Sequence, residues 1–320
     1  MGNNTFKRKP FLTYDKQIEK LVNEKGLIIN NILSAKKLLK KHGYFALISG
    51  YKKPFKSKNG LYKKNTSIDD IFALYTFDDQ LRSVILRNIL MVENHIKSLI
   101  TYSFCEINGD SEQQYLDATK YNYIVAKQPG INKLVNILSN ITTNPKAYRY
   151  ISYQKDNYQN IPLWAMMKAL TLGTVSKMYS FLPRKIQSKI AIEFTYVNER
   201  DLLRMLDLLS RVRNVCAHNE RLFDYKYYKG AINDTYMHGY LKIIKKKGLF
   251  TKGKSDLFAA LISLKYLLDE QDFQKMINDI NNCFNTLFTA TNQIQSQQLF
   301  KYMGFPINWI EIKAGSIDFK

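Results

Sequence analysis

The sequence is poor in the residues that the commonest site chemistries need. Four histidines (His42, His95, His218 and His238) and three cysteines (Cys105, Cys216 and Cys283) are spread over 320 residues. No HExxH, no CxxC and no His/Cys cluster with metal-ligand spacing occurs, so neither a metal nor a cofactor is expected. Three cysteines far apart exclude a disulfide framework and fit a reducing, cytoplasmic setting. GxGxxG and GxSxG are also missing, which argues against a dinucleotide-binding turn or a nucleophile elbow. No apolar run approaches the roughly 18 residues of a membrane helix, so no membrane partner is expected. The N-terminal MGNNTFKRKPFLTYD lacks the apolar centre of a signal peptide, and Phe6 breaks the myristoylation pattern that Gly2 would begin.

Acid is scarce too. Lys and Arg number 48 against 27 Asp and Glu, a formal net charge of +21. Lysine, asparagine and isoleucine are abundant, as AT-rich coding sequence would produce, but that bias does not explain why acids fail to balance the lysines. The excess favours a polyanion, either an anionic membrane surface or, as favoured here, a nucleic acid. Three stretches concentrate charge with rings. Lys52, Lys53, Lys56, Lys58, Lys63 and Lys64 flank Phe55 and Tyr62. Lys242, Lys245, Lys246, Lys247, Lys252 and Lys254 form the second, and Tyr148, Arg149, Tyr150 and Tyr153 the third. Such stretches grip phosphates while rings stack unpaired bases. They read equally as solvated lysine faces or as tyrosines packed on a core.

The 45% hydrophobic content is globular, and its period is helical. A helix is predicted over 14–42, then a turn-rich segment punctuated by Gly43, Gly50, Pro54 and Gly60. Ser67 and Asp70 form a capping box opening one long helix, or two in succession, to about Asn108. Residues 109–160 read as an insertion of short helices and loops. Pro162 opens a helical pattern containing Gly173, and Asn198 is placed to cap ERDLLRMLDLLSRVRNVCAH. Helices follow at about 255–268 and 271–300, and the apolar GFPINWIEI is expected to dock on the core. These readings divide the chain into an N-terminal helical and basic-loop region (1–66), a helical core (67–225) and a C-terminal helical region (226–320). No internal repeat is found.

One segment has the residues for chemistry without metal, SRVRNVCAHNERLFDY. Asn214 and His218 are four apart and share a helical face, with Arg211 near it; Arg213 lies about 140° from His218 and reaches across. An imidazole can move protons at neutral pH, a guanidinium can grip a scissile phosphate, and an amide can orient either. A histidine ending a helix also serves simply to stabilise the dipole, and arginines near Glu220 simply to form surface pairs. A second constellation, Arg87-Asn88 followed by His95, puts Asn88 and His95 on nearly one face.

The R-N-x-x-x-H arrangement of Arg213, Asn214 and His218 is the R-x4-6-H signature of HEPN domains. RNVCAHNERLFDY resembles the RN-x-CAH-x-x-RLW/F segment of bacterial abortive-infection (Abi) proteins. KPFLTYDKQIEKL, HGYFALISGYKKPF, IDDIFALYTFDDQLRSVILRNILMVENHIKS, PLWAMMKALTLGTVSKMY and MGFPINW resemble further family segments in the same order. The chain is identified as a member of that family, in its AbiD/AbiF-like branch. It departs at Lys168, where many members carry Glu, and at Asn219, where many carry a second histidine.

The resemblance implies an all-α, HEPN-type helical bundle with N-terminal and C-terminal helical extensions, and a role in phage defence of the toxin–antitoxin kind. It implies a metal-independent endoribonuclease with Arg213, Asn214 and His218 as catalytic residues, leaving 2′,3′-cyclic phosphate ends. The alternative is a non-catalytic protein that sequesters or senses RNA. A homodimer is implied, because such nucleases join two motifs in one cleft, as is a small structured non-coding RNA partner. Lys52, Lys53, Phe55, Lys56, Lys58, Tyr62, Lys63, Lys64, Tyr148, Arg149, Tyr150, Arg211, Arg221, Lys245, Lys246 and Lys247 are the expected RNA contacts.

Overall fold

In the computed structural model, which describes residues 9–228 and 230–315, the helical periods of the sequence become a series of α-helices. Residues 1–8, which bear most of the leader and lipidation readings, lie outside the described residues. In chain order the helices are α1 (Tyr14–Glu19), α2 (Ile32–His42), α3 (Ile68–Asn108), α4 (Glu112–Leu116), α5 (Gln128–Thr143), α6 (Arg149–Tyr158) and α7 (Leu163–Ala169). Then come α8 (Leu172–Phe181), α9 (Arg184–Ala191), α10 (Glu199–Ala217), α11 (Tyr236–Tyr240), α12 (Leu257–Leu267), α13 (Glu270–Ala290) and α14 (Ser296–Met303). One antiparallel ribbon, β1 (Lys245–Lys246) with β2 (Leu249–Phe250), is a minor addition to an all-α protein. Among the described residues no helix is long and apolar enough to cross a membrane.

The chain forms two compact units. One holds the chain up to Gln80 with Asn282–Leu299; the other holds Leu81–Asn281 and the chain from Phe300.

In the first unit the single helix expected over 14–42 is broken. α1 runs into one π-helical turn, Lys20–Glu24, and Gly26 then reverses the chain at φ +67°, a conformation glycine adopts without steric cost. Ile28 pairs instead with the strand-like approach to α3: its N–H donates to Thr66 O (2.9 Å) and its carbonyl accepts from Ile68 N (3.0 Å). α2 restarts on Asn31, whose side chain accepts from Ser34 N at 2.9 Å. The capping box opens α3 as expected. Asp70 N donates to Ser67 Oγ (3.2 Å), and Ser67 N donates to Asp70 Oδ2 (2.7 Å). With no glycine or proline to interrupt it, α3 continues for 41 residues as one helix.

The second unit is built around α10, which packs against α8, α9 and α12. Leu202, Leu206, Leu209 and Val212 of α10 are buried, and every residue of α12 is buried, Lys265 included. Asn198 caps α10 as read from the sequence, accepting from Arg200 N (3.0 Å) and Asp201 N (2.9 Å). The helix opened by Pro162 is two, because Leu170 is extended and Thr171 caps α8. Residues 109–160 hold the short α4 and α6 but also the sixteen-residue α5. The helix expected over 271–300 is likewise two, α13 and α14. The basic loop after α11 becomes the β1–β2 hairpin, turned by Lys247 (φ +51°) and Gly248 (φ +78°). GFPINWIEI does dock: Phe305, Trp309 and Ile312 are buried, with the Phe305 ring 5.1 Å from Phe258 and 5.4 Å from Trp309.

Candidate functional site

The RNVCAH segment occupies the last turns of α10 and the bend that ends it. The bend is closed by two reversed hydrogen bonds, Asn219 N to Cys216 O (3.2 Å) and Glu220 N to Val215 O (2.9 Å). This is the Schellman pattern, in which the residue after the cap must be left-handed. Asn219 takes that role at φ +55°, a conformation asparagine tolerates better than most. The turn fixes the backbone of His218, the C-cap residue, while leaving its side chain exposed. Asn214, one turn earlier, is also exposed.

Arg213 is half-buried and faces α3. Two contacts set α3 and α10 antiparallel here: Arg82 Nη1 donates to Glu220 O (3.3 Å), and Arg213 Nε lies 3.8 Å from Glu93 Oε2. Glu93 is buried, and its other oxygen accepts from Lys97 Nζ at 2.7 Å. At 3.8 Å the Arg213–Glu93 contact is an attraction between charges and not a hydrogen bond. Among the described residues neither Arg213 Nε nor Glu93 Oε2 has a hydrogen-bond partner, although both atoms are shielded from solvent. The guanidinium is thus positioned by charge. Glu93 escaped the sequence reading, although its four-residue spacing from Lys97 is the signal of a helical ion pair.

Arg211 does not join this cluster. It pairs with Asp207 (3.5 Å) and lies over the Tyr227 ring (4.7 Å), whose hydroxyl donates to Asp207 Oδ2 at 2.6 Å. Arg221 is held by Asp224, Nε to Oδ1 2.6 Å. The second constellation separates. The Asn88 amide is buried and donates to Val84 O on its own helix (2.8 Å), while the exposed His95 ring rests against Phe194 at 5.3 Å. Glu93 and His95, two residues apart, point about 200° apart around α3, so His95 faces away from the Glu93 side.

The basic stretches divide by what their rings do. Phe55 and Tyr62 are buried in the core of the first unit, so the expectation that these rings are offered to bases is corrected. The cause is the bridge between Lys56 and Tyr62, which folds the segment back and turns both rings inward. Lys52, Lys53, Lys58 and Lys64 stay exposed, and Lys63 donates to Gln298 at 3.4 Å. Lys56 lies 3.4 Å from the Tyr62 ring centre; desolvation first, then Lys25 and Lys52, lower its pKa to about 8. On the hairpin Lys245, Lys246 and Lys247 are exposed, with Lys245 near Phe250 and Asp234. On α6, Arg149 and Tyr150 are exposed and Tyr148 lies 5.7 Å from Tyr150, ring to ring. Among the described residues no group of three or more His, Cys, Asp or Glu is placed to hold a metal ion.

A family model described as Abi-like protein matches residues 37–224, a span that begins within α2, includes α3 to α10 and takes in the whole RNVCAH segment. No curated protein and no solved structure matches the chain.

Proposed function

Because the chain belongs to the Abi-like protein family, and so to abortive infection as a defence against phage, we propose that it is an RNA-binding HEPN-type protein whose Arg213 and His218 cleave RNA without metal. The observation that carries the reading is the end of α10. An exposed imidazole on a fixed turn stands five residues from a guanidinium that a buried carboxylate positions but does not hydrogen-bond.

In this reading His218 accepts the proton of the RNA 2′-OH as its oxygen attacks the adjacent phosphorus. The P–O5′ bond breaks, the leaving oxygen takes a proton, and the products are a 2′,3′-cyclic phosphate and a 5′-hydroxyl. Arg213 offers its hydrogen bonds to the phosphate oxygens as charge builds on them. Asn214 orients one of these groups. Affinity comes chiefly from dispersed lysines on a chain of net charge +21. The AbiD/AbiF-like branch, toxin–antitoxin behaviour, a cytoplasmic setting, a small structured RNA partner and a homodimer with paired motifs belong to the same proposal.

The test is cleavage of end-labelled RNA by purified protein in excess EDTA. Wild type is expected to cut and leave cyclic phosphate ends. His218→Ala and Arg213→Ala are each expected to lose about 10²–10⁴-fold in rate while still binding RNA. Equal cutting by wild type and His218→Ala removes His218 from the chemistry. No cutting by wild type freed of copurified RNA favours an RNA-sequestering protein.

A further inference from the structure

We propose that the groove between α3 and α7 stacks the bases of single-stranded RNA beside the Arg213 cluster, an inference that rests on the RNA reading above. The groove has a volume of about 900 Å³. Its walls are Trp164 of α7 and Tyr102 of α3, which are 52% and 66% exposed. Large rings left open on one concave surface are uncommon, because burying them is worth so much.

The edges carry lysines, with Glu106 as the acid of the lining. Lys168 follows Trp164 by four residues and so shares its side of α7, and Lys97 lines the α3 side. Lys189 of α9 lies 5.1 Å from the Tyr102 ring centre and pairs with Glu106. Rings for bases with ammonium groups for phosphates is the composition that binds unpaired nucleic acid with little sequence preference. A duplex keeps its bases stacked on each other and cannot use the rings.

The groove also adjoins the candidate cleavage site physically. Lys97, on its edge, holds one oxygen of Glu93 at 2.7 Å, and the other oxygen of Glu93 lies 3.8 Å from Arg213 Nε. A nucleotide stacked on Trp164 would therefore hold its strand near the guanidinium. That sets which phosphate is presented, a task distinct from the general affinity of dispersed lysines.

The chain has two tryptophans, Trp164 and the buried Trp309, so Trp164 emission reports directly on the groove. The experiment uses full-length His218→Ala, to prevent cutting, with an oligouridylate and an RNA duplex of equal length. Single-stranded RNA is expected to quench emission, and the quench is expected to vanish in Trp164→Phe/His218→Ala, which retains a ring and its packing. Tyr102→Leu is expected to weaken single-strand binding about tenfold at unchanged thermal stability.

Binding of the single strand, seen by fluorescence anisotropy, without a Trp164 quench overturns the proposal. So does an equal quench by the duplex, or no RNA binding at all. Emission that shifts with protein concentration before RNA is added, marking a seam between two copies, also overturns it. A full quench in a protein whose wild type cuts no RNA leaves the groove standing and removes only the nuclease reading.

Discussion

Glu93 and Arg213 meet across α3 and α10 as an ion pair without a hydrogen bond, Oε2 to Nε 3.8 Å, while Lys97 takes the second carboxylate oxygen at 2.7 Å. Glu93 is thus shared by two cations, Lys97 and Arg213. Replacing it with Gln keeps the shape and removes the charge both cations face. Because Arg213 is partly open to water, the loss should be below that of a fully buried pair, about 1–3 kcal/mol. A thermal melt of Glu93→Gln should show a Tm several degrees lower, and cleavage should fall through kcat more than through KM as the guanidinium loses its fixed position. A variant with unchanged Tm and unchanged kcat would show that Glu93 does not organise the site.

The turn behind His218 makes a second prediction. Asn219 sits at φ +55°, where a glycine is at ease and a β-branched residue is not. Asn219→Gly should match the wild type in cleavage within about twofold. Asn219→Val should cost about 1–2 kcal/mol in urea melts, because the left-handed turn is strained, and should lower cleavage by displacing His218. Equal activity of the Gly and Val variants would refute a positioning role for this turn.

These two relationships mark the boundary of what the sequence discloses. The capping pairs Ser67–Asp70 and Asn198–Arg200/Asp201 were legible because they are local, set by residues two or three apart. The breaks at Gly26, Thr171 and 291–295 were harder to read. Apolar periodicity continues across each, and the competing partner, such as Ser67 for Ile28, lies far along the chain. At the site, Arg213, Asn214 and His218 could be found as a motif, but Glu93 lies 120 residues before Arg213 and joins it only by folding. Phe55 and Tyr62 misled for the same reason: lysines around a ring look alike whether the ring faces water or the core.

Asp256 gives the second unit a pH response that does not involve Arg213 or His218. Its carboxylate caps α12, accepting from Ala259 N (3.0 Å) and Gly253 N (3.1 Å). Desolvation nevertheless raises its pKa to about 6, against the opposing pull of those hydrogen bonds and Lys226. A carboxyl with a folded pKa above its unfolded value holds its proton in the native state longer. Its stabilising contribution is present below about pH 4 and is lost as pH rises to about 6, because the native state must then bury a charge. Asp256→Asn keeps an acceptor oxygen and removes the titration. The stability of wild type relative to Asp256→Asn should therefore decline between about pH 4 and 6 and stay level above. Urea melts at fixed pH values measure this, and a flat difference across that window rejects it.

The last prediction concerns assembly. If two R-x4-6-H motifs meet in one cleft, the protein must pair about a two-fold axis that passes near the end of α10. In such an interface each residue lies close to its own copy. Ala217 is exposed at that end, next to His218, and is the position from which to test the geometry. On a Cys105→Ser background, the two other cysteines are buried, so Ala217→Cys supplies the reactive thiol. A short bis-maleimide should then link two chains into a dimer in good yield, and RNA should not abolish the link. Light scattering of the unmodified protein should give twice the mass of one chain at micromolar concentration. A monomer with and without RNA sinks the paired-motif arrangement. A dimer that never cross-links through position 217 places the axis elsewhere and leaves each Arg213–His218 pair to act alone.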